Sequence, residues 1–358
     1  MDYHGNLRTC GGDPVRVDIR TEQGDLIDSK VKDIDNGTYE VLYRPTKPGK
    51  IKLTVCIFGR QIKNSPLEVQ VSEHIDPIFK FGSRGSGREQ LNQPVRVVSG
   101  PGDTMYILDT GNSRISVLNR DGTLLHHLGP TGIENQSATG IARMSNDQLV
   151  VINWRSKNVS VLDHTDGSLV RAFTDPAFVE PIDVAVNSKG DIIVADSGAK
   201  KIFKFDSSGK LVTSFGCPGD KDGEFKVISA LCVGKNDEIL VADHRIQIFN
   251  KEGKYLRKII LDSSSFSGIA VDGAGNIFAS KTEKMSKSDR SSGSGDKASP
   301  SSGGRSFIHV FHSSGKLQYS IDSFNDRLKR PSGLAILSDY RIVVADLGNH
   351  CVKKFYYR

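Results

Sequence analysis

The chain has 358 residues, with 48 Lys and Arg against 42 Asp and Glu for a formal net charge of +6; that length allows two or three domains with substantial cores. Apolar residues make up 37% and charged residues 25%, and no run approaches the ~18 apolar residues of a spanning helix, which excludes a disordered polymer and a helical membrane protein. The opening Met1-Asp-Tyr-His-Gly5 lacks the features of a signal peptide. Three glycosylation sequons, at Asn36, Asn135 and Asn158, are therefore expected to be coincidental. Cys10, Cys56, Cys217, Cys232 and Cys351 show no C-x-x-C spacing, so neither a disulfide framework nor a zinc site is expected. Reduced thiols in a cytoplasmic protein are the expectation.

Short Val/Ile/Leu/Phe runs bounded by Gly, Asp, Asn and Pro occur throughout, and few segments keep a 3.6-residue period. That pattern indicates an all-β protein. In residues 1–75, runs 39–43 and 51–57 alternate, and Asp35-Asn-Gly37 and Lys47-Pro-Gly49 are turn signals. An antiparallel sandwich-type domain is expected there, with about five strands, short of a seven-stranded sandwich.

From residue 76 onward the chain repeats itself. Segments 105–118, 149–162, 192–205, 239–249 and 342–355 each read as strand, Asp- or Asn-anchored turn, strand. A sixth, weaker copy starts at 276–280 and resumes at 307–311. The anchors Asp109, Asn153, Asp196, Asp243, Ser280 and Asp346 lie 44, 43, 47, 37 and 66 residues apart. Removing the Ser/Gly-rich interruption in the last interval brings it to roughly 40, within the ~40–45 residues of a four-stranded blade. Polar turns such as Ser208-Gly209 and Glu252-Gly253 lead each time to a further apolar strand. A six-bladed β-propeller is predicted. The final unit is one strand short, and the surplus strand 77–82 is expected to complete it and close the ring. Residues 281–306 carry six basic and three acidic residues with little apolar content, and a disordered loop inside blade five is expected.

The blade motifs Val194-Ala-Asp-Ser-Gly198 and Val344-Ala-Asp-Leu-Gly-Asn-His350 resemble the NHL repeat. The segment Asp35-Asn-Gly-Thr-Tyr-Glu-Val-Leu-Tyr43, with Pro48-Gly49 and Asn64-Ser-Pro66, resembles the second half of a filamin-type immunoglobulin repeat, which makes residues 1–75 an N-terminally incomplete filamin-like sandwich. A filamin repeat followed by NHL repeats is the C-terminal arrangement of many tripartite-motif (TRIM-NHL) proteins. The resemblance implies a target-recognition module that in several members binds short single-stranded or stem-loop RNA and in others protein partners. It implies ubiquitin-ligase activity only for a longer form carrying a RING, which five scattered cysteines cannot build.

Four Asp anchors at equivalent positions are expected to shape turns by accepting backbone N–H bonds rather than to bind metal. The loop Gly82-Ser-Arg-Gly-Ser-Gly87 lacks the Lys-Ser/Thr of a P-loop and reads as an inter-strand connector. No nucleophile–base pairing is apparent, so no catalytic residue, cofactor or metal site is expected. The innermost strands begin at Arg96, Gly140, Asp183, Ala230, Gly268 and Gly333, which offers a channel metal only one acid. The basic residues instead share one face. Turns between second and third strands carry Arg114, Arg155, Lys157, Lys200, Lys201, His244, Arg245 and His350; the innermost-strand starts add Arg96, Lys329 and Arg330. Trp154, the single tryptophan, joins them as a stacking platform. Residues 78–358 hold 37 basic and 30 acidic residues, against 11 and 12 in residues 1–77. The reading is a non-catalytic module whose basic propeller face binds RNA in post-transcriptional regulation. The alternative is a scaffold that recruits proteins for ubiquitination by an upstream RING. No membrane or DNA partner is expected.

Overall fold

The computed structural model describes residues 9–43, 45, 48–71, 75–129, 131–261, 266–282, 305–323 and 325–357. The chain divides into two compact units, one up to Ile75 and one over Asp76–Tyr357.

The first unit has six strands. Val15–Thr21 pairs along one edge of Gly49–Ile57, whose other edge takes Arg60–Gln61 and Leu67–Val71. Ser29–Asp33 and Tyr39–Tyr43 form a two-stranded second sheet. Alternating residues of both sheets meet in a small core: Ile19, Ile51 and Leu53, flanked by Val41 and Tyr43. The period-two pattern thus places one face of each sheet inside.

The second unit is a six-bladed propeller. From the innermost strand outward, blade 1 is Pro94–Ser99, Met105–Asp109, Arg114–Leu118 and Leu124–Leu128. Blade 2 is Ala138–Arg143, Leu149–Asn153, Asn158–Leu162 and Leu169–Phe173; blade 3 is Pro181–Val186, Ile192–Asp196, Lys201–Phe205 and Leu211–Phe215. Blade 4 is Ala230–Val233, Ile239–Ala242, Ile246–Phe249 and Tyr255–Ile259; blade 5 is Phe266–Val271, Ile277–Thr282, Ser306–Phe311 and Leu317–Ile321. Blade 6 has Pro331–Leu337, Arg341–Asp346 and Cys351–Tyr356, and its outer strand is Phe79–Phe81. All pairings within blades are antiparallel. The innermost strands touch in cyclic order, the sixth against the first.

Second strands such as Met105–Asp109 and Ile192–Asp196 are buried along their whole length, which is why they read as unbroken apolar runs rather than alternations. Outer strands such as Leu211–Phe215 are half-exposed. The core is accordingly a set of wedges between neighbouring blades. Between blades 2 and 3, for example, Phe178 meets Phe203 edge-on at a centroid distance of 5.2 Å, a favourable aromatic geometry.

Ring closure occurs where the surplus strand was expected. Phe81, Lys80 and Phe79 pair with Val352, Lys353 and Lys354. Lys354 Nζ donates to the Arg120 carbonyl at 2.7 Å and lies 4.9 Å from the Phe79 ring centroid, joining blade 6 to blade 1. The insertion in blade 5 leaves its strands paired up to Thr282 and Ser306; the loop expectation for 281–306 falls mainly on residues 283–304, which lie outside the described residues.

Candidate functional site: the upper face of the propeller

The upper face is the one on which innermost strands begin and second strands end. Each blade builds it in the same way. The anchor carboxylates are fully buried and work as turn-shapers. Asp196 accepts the amides of Val179, Glu180 and Ala199 at 2.7, 2.8 and 2.8 Å. Asp109 accepts from the Asn92 amide, Asn112 Nδ2 and Arg114 Nε, and Asp346 from the Lys329 amide, Asn349 Nδ2 and Lys353 Nζ. Burial pushes the Asp109 and Asp346 carboxyls above the usual range, and the hydrogen bonds and neighbouring cations work against it. Asn153 keeps the role by accepting from Ser137 Oγ and the amides of Arg155 and Ser156. Among the described residues no group of three His, Cys, Asp or Glu is placed to hold a metal ion.

The twelve candidate residues divide into two sets. Arg96, Arg114 and Arg245 spend their guanidinium groups inside the fold, which makes them positioning residues rather than ligand contacts. Arg114 donates to the carbonyls of Ser86, Gly87 and Gln90, pinning the Gly82–Gly87 connector. Arg245 does the same to Asp220, Lys221 and Glu224 in the connector between blades 3 and 4.

Arg96 turns into the channel. Its Nε and Nη2 meet Asp183 of blade 3 at 3.2 and 3.1 Å. Its Nη groups also donate to the carbonyls of Ser229, Ser267 and Ser332, at the heads of blades 4, 5 and 6, at 3.1, 3.5 and 2.8 Å. A register shift at the head of five innermost strands accompanies this inward display of carbonyls, as β-bulges re-aim backbone groups. The small residues beside Arg96 follow from crowding. A Cβ at Gly333 would lie 2.6 Å from Arg96 Cα, and one at Gly268 2.2 Å from the Ser332 carbonyl oxygen. One arginine thus ties blade 1 to four others, and Asp183 is its counter-ion.

The other nine face outward. Trp154, Arg155, Lys157, Lys201, Lys329 and Arg330 are exposed; Lys200, His244 and His350 are half-buried. The Arg155 guanidinium carbon sits 5.3 Å from the Trp154 ring centroid, within cation–π range. Lys157, Lys200 and His350 occupy one conformation, with φ of 56°, 57° and 52°, in equivalent turns of blades 2, 3 and 6. The αL geometry therefore presents one side chain per blade to the same face. Lys200 Nζ bends back to the Ser197 carbonyl. His350 Nδ1 accepts the Gln93 amide at 3.2 Å. Burial, then Arg84, lowers the His350 pKa, so its ring stays neutral near pH 7. His244 lies between Asp220 at 2.9 Å and Asp243 at 3.2 Å, and Lys226 also pairs with Asp220 at 2.8 Å. Blade 4 is thus locally compensated. The uncompensated bases concentrate on blades 2 and 3 and around the junction of blades 6 and 1. Exposed Arg84 and Arg88, on the pinned connector, extend that junction; the sequence reading had taken their loop only as a connector.

Comparison with known proteins matches this geometry. The Filamin/ABP280 repeat family matches residues 3–68, and the NHL repeat family matches residues 178–205 and 328–355. The E3 ubiquitin-protein ligase TRIM71 of Rattus norvegicus is 33% identical over 131 residues, 35% of this chain and 15% of that protein. Protein brain tumor of Drosophila melanogaster is 35% identical over 116 residues, 30% of this chain and 11% of its own. Tripartite motif-containing protein 2 of Homo sapiens is 27% identical over 182 residues, 48% and 23% respectively. The chain spans less than a quarter of each of these relatives. Among solved structures, a Bacteroides thetaiotaomicron protein of unknown function aligns with TM-score 0.57 at 13% identity, covering 95% of this chain and 90% of its own. A streptogramin B lyase aligns with TM-score 0.54 at 12% identity, covering 78% and 98%; at such identities these two speak for the fold alone. The chain carries a filamin repeat and an NHL-repeat propeller of the TRIM-NHL type.

Proposed function

We propose, from this filamin–NHL arrangement, that the chain is a target-recognition module that binds RNA through the upper face of its propeller. The observation that carries the reading is the exposed Trp154 with Arg155 against its ring, on the same face as Lys157, Lys200 and Lys201 of the adjoining turns. A base stacks on such a platform while neighbouring lysines follow the phosphates. Arg96, Arg114 and Arg245 contribute by holding the channel and connectors in place. The ligase activity named for the TRIM71 relative would belong to a longer protein in which this module selects what is acted on.

Protein recognition is the second reading. It is favoured by exposed Val179 and Val227 on connectors at the same face, since exposed apolar groups are what a protein partner covers. Affinity for random RNA pools at two salt concentrations separates the readings. RNA binding should weaken with salt by about 0.7 in log–log slope per phosphate contact on a single strand. Trp154→Ala should cost a further ~1–3 kcal/mol of binding. A partner protein would respond mainly to Val179→Asp and Val227→Asp, with salt having little effect.

A further inference from the structure

A cavity of about 280 Å³ extends along the propeller axis from the Arg96–Asp183 pair to the lower face, lined by all six innermost strands. That is near the lower end of ligand-pocket sizes. An apolar cavity of ~150 Å³ admits benzene, so this one has room for roughly ten non-hydrogen atoms. Its lining includes Ala185, Ala270 and Ala335, with Val186, Val271 and Ile336 at the lower rim, and no aromatic side chain. The walls therefore suit a slender aliphatic chain rather than a ring that needs a stacking partner.

The polar groups are few and differ in what they have left to give. At the upper end, Arg96 is spent on Asp183 and the blade carbonyls. The Cys232 thiol in the wall is pushed far up by burial and stays protonated. At the lower rim, Arg143 gives its Nε to the Ser99 carbonyl at 3.0 Å and its Nη1 to Asp147 at 2.5 Å. Its Nη2 has no partner among the described residues, and the residue is part of the cavity lining.

We infer that the channel binds a short aliphatic monocarboxylate, its chain along the alanine and valine walls and its carboxylate on Arg143 Nη2. Asp147 already takes one edge of the guanidinium, so the rim accommodates one further negative charge and disfavours a dicarboxylate. The site lies at the opposite end of the channel from the RNA-binding face and does not depend on that reading.

Saturation-transfer NMR on the full chain with hexanoate tests it. The expected Kd is on the order of 1 mM, the affinity reached by a ligand of roughly eight non-hydrogen atoms. Arg143→Gln should weaken hexanoate by about tenfold by removing a charge-assisted hydrogen bond, while leaving the weaker binding of hexanamide unchanged. Ala270→Phe should block both. If Ala270→Phe does not fold, Arg143→Gln decides alone. Absence of transfer to hexanoate in the unmutated protein, or equal hexanoate affinity after Arg143→Gln, would overturn the inference.

Discussion

Asp183→Ala and Arg96→Ala should each lower the thermal midpoint of the propeller by roughly 6–15 °C. Breaking a buried ion pair by removing one partner costs about 3–5 kcal/mol, because the remaining charge is left without its counter-ion, and each kcal/mol corresponds to ~2–4 °C in a domain of this size class. The Asp183 side chain is 4% exposed and that of Arg96 14%, so water can rescue neither. Loss of Asp183 also strands the Leu231 amide, which donates to its Oδ2 at 2.9 Å. Loss of Arg96 removes donors from three blade-head carbonyls at once. Replacing both, as Arg96→Met with Asp183→Leu, should recover much of the loss, since an apolar pair of similar volume carries no desolvation penalty. Thermal unfolding of the four proteins gives the coupling energy directly. Single variants within 0.5 kcal/mol of the parent would show that the channel pair does not hold the ring.

Deleting residues 76–82 should cost still more in cooperativity. The strand satisfies the open edge of Cys351–Tyr356, and its two part-buried phenylalanines pack on the core between blades 6 and 1. At ~1.5–3 kcal/mol for each aromatic side chain fully buried, roughly 3 kcal/mol is at stake before the backbone is counted. Val352 and Phe355, both fully buried, would be uncovered on an unpaired edge, the arrangement that recruits other chains. Lys80 also pairs with Asp326 at 3.1 Å, so the deletion loosens the connector ahead of blade 6. The expected result is a broadened transition with aggregation in scanning calorimetry and light scattering. An unchanged, monomeric two-state transition would contradict closure by this strand.

What the sequence disclosed and what it hid have a common cause. Blades were legible because each is local. Strand, Asp-anchored turn and strand recur within about fifteen residues, and the buried second strands leave unbroken apolar runs. The closing strand was legible because Pro77-Ile-Phe-Lys-Phe-Gly82 repeats the form of Leu211-Val-Thr-Ser-Phe-Gly216. The sandwich was less so: six strands are present where about five were expected, because Arg60–Gln61 is a two-residue strand with no hydrophobic pattern.

Arg96 stayed hidden because its partners lie 87 to 236 residues away; position placed it on the basic face, and only packing shows it turned inward. Arg114 and Arg245 had a usable signal. Connectors 82–91 and 216–225 align glycine for glycine at Gly82 with Gly216 and Gly85 with Gly219, ending in Leu91 and Phe225. An arginine follows each in its own blade and holds three of its carbonyls. A repeated loop paired with a repeated arginine points to an internal role for the charge.

The account rests most heavily on the upper face as the RNA site, and one binding measurement addresses it. Arg155, Lys157, Lys200 and Lys201 are changed together to Glu, which puts four acids where blades 2 and 3 present bases. Arg155, Lys157 and Lys201 are exposed and Lys200 is half-buried, so the fold should persist with little change in stability, as checked by thermal unfolding. RNA-pool affinity at low salt should then collapse toward background, because phosphate contacts supply most of such binding. A folded, charge-reversed protein that binds the pool as tightly as the parent would contradict the assignment of this face.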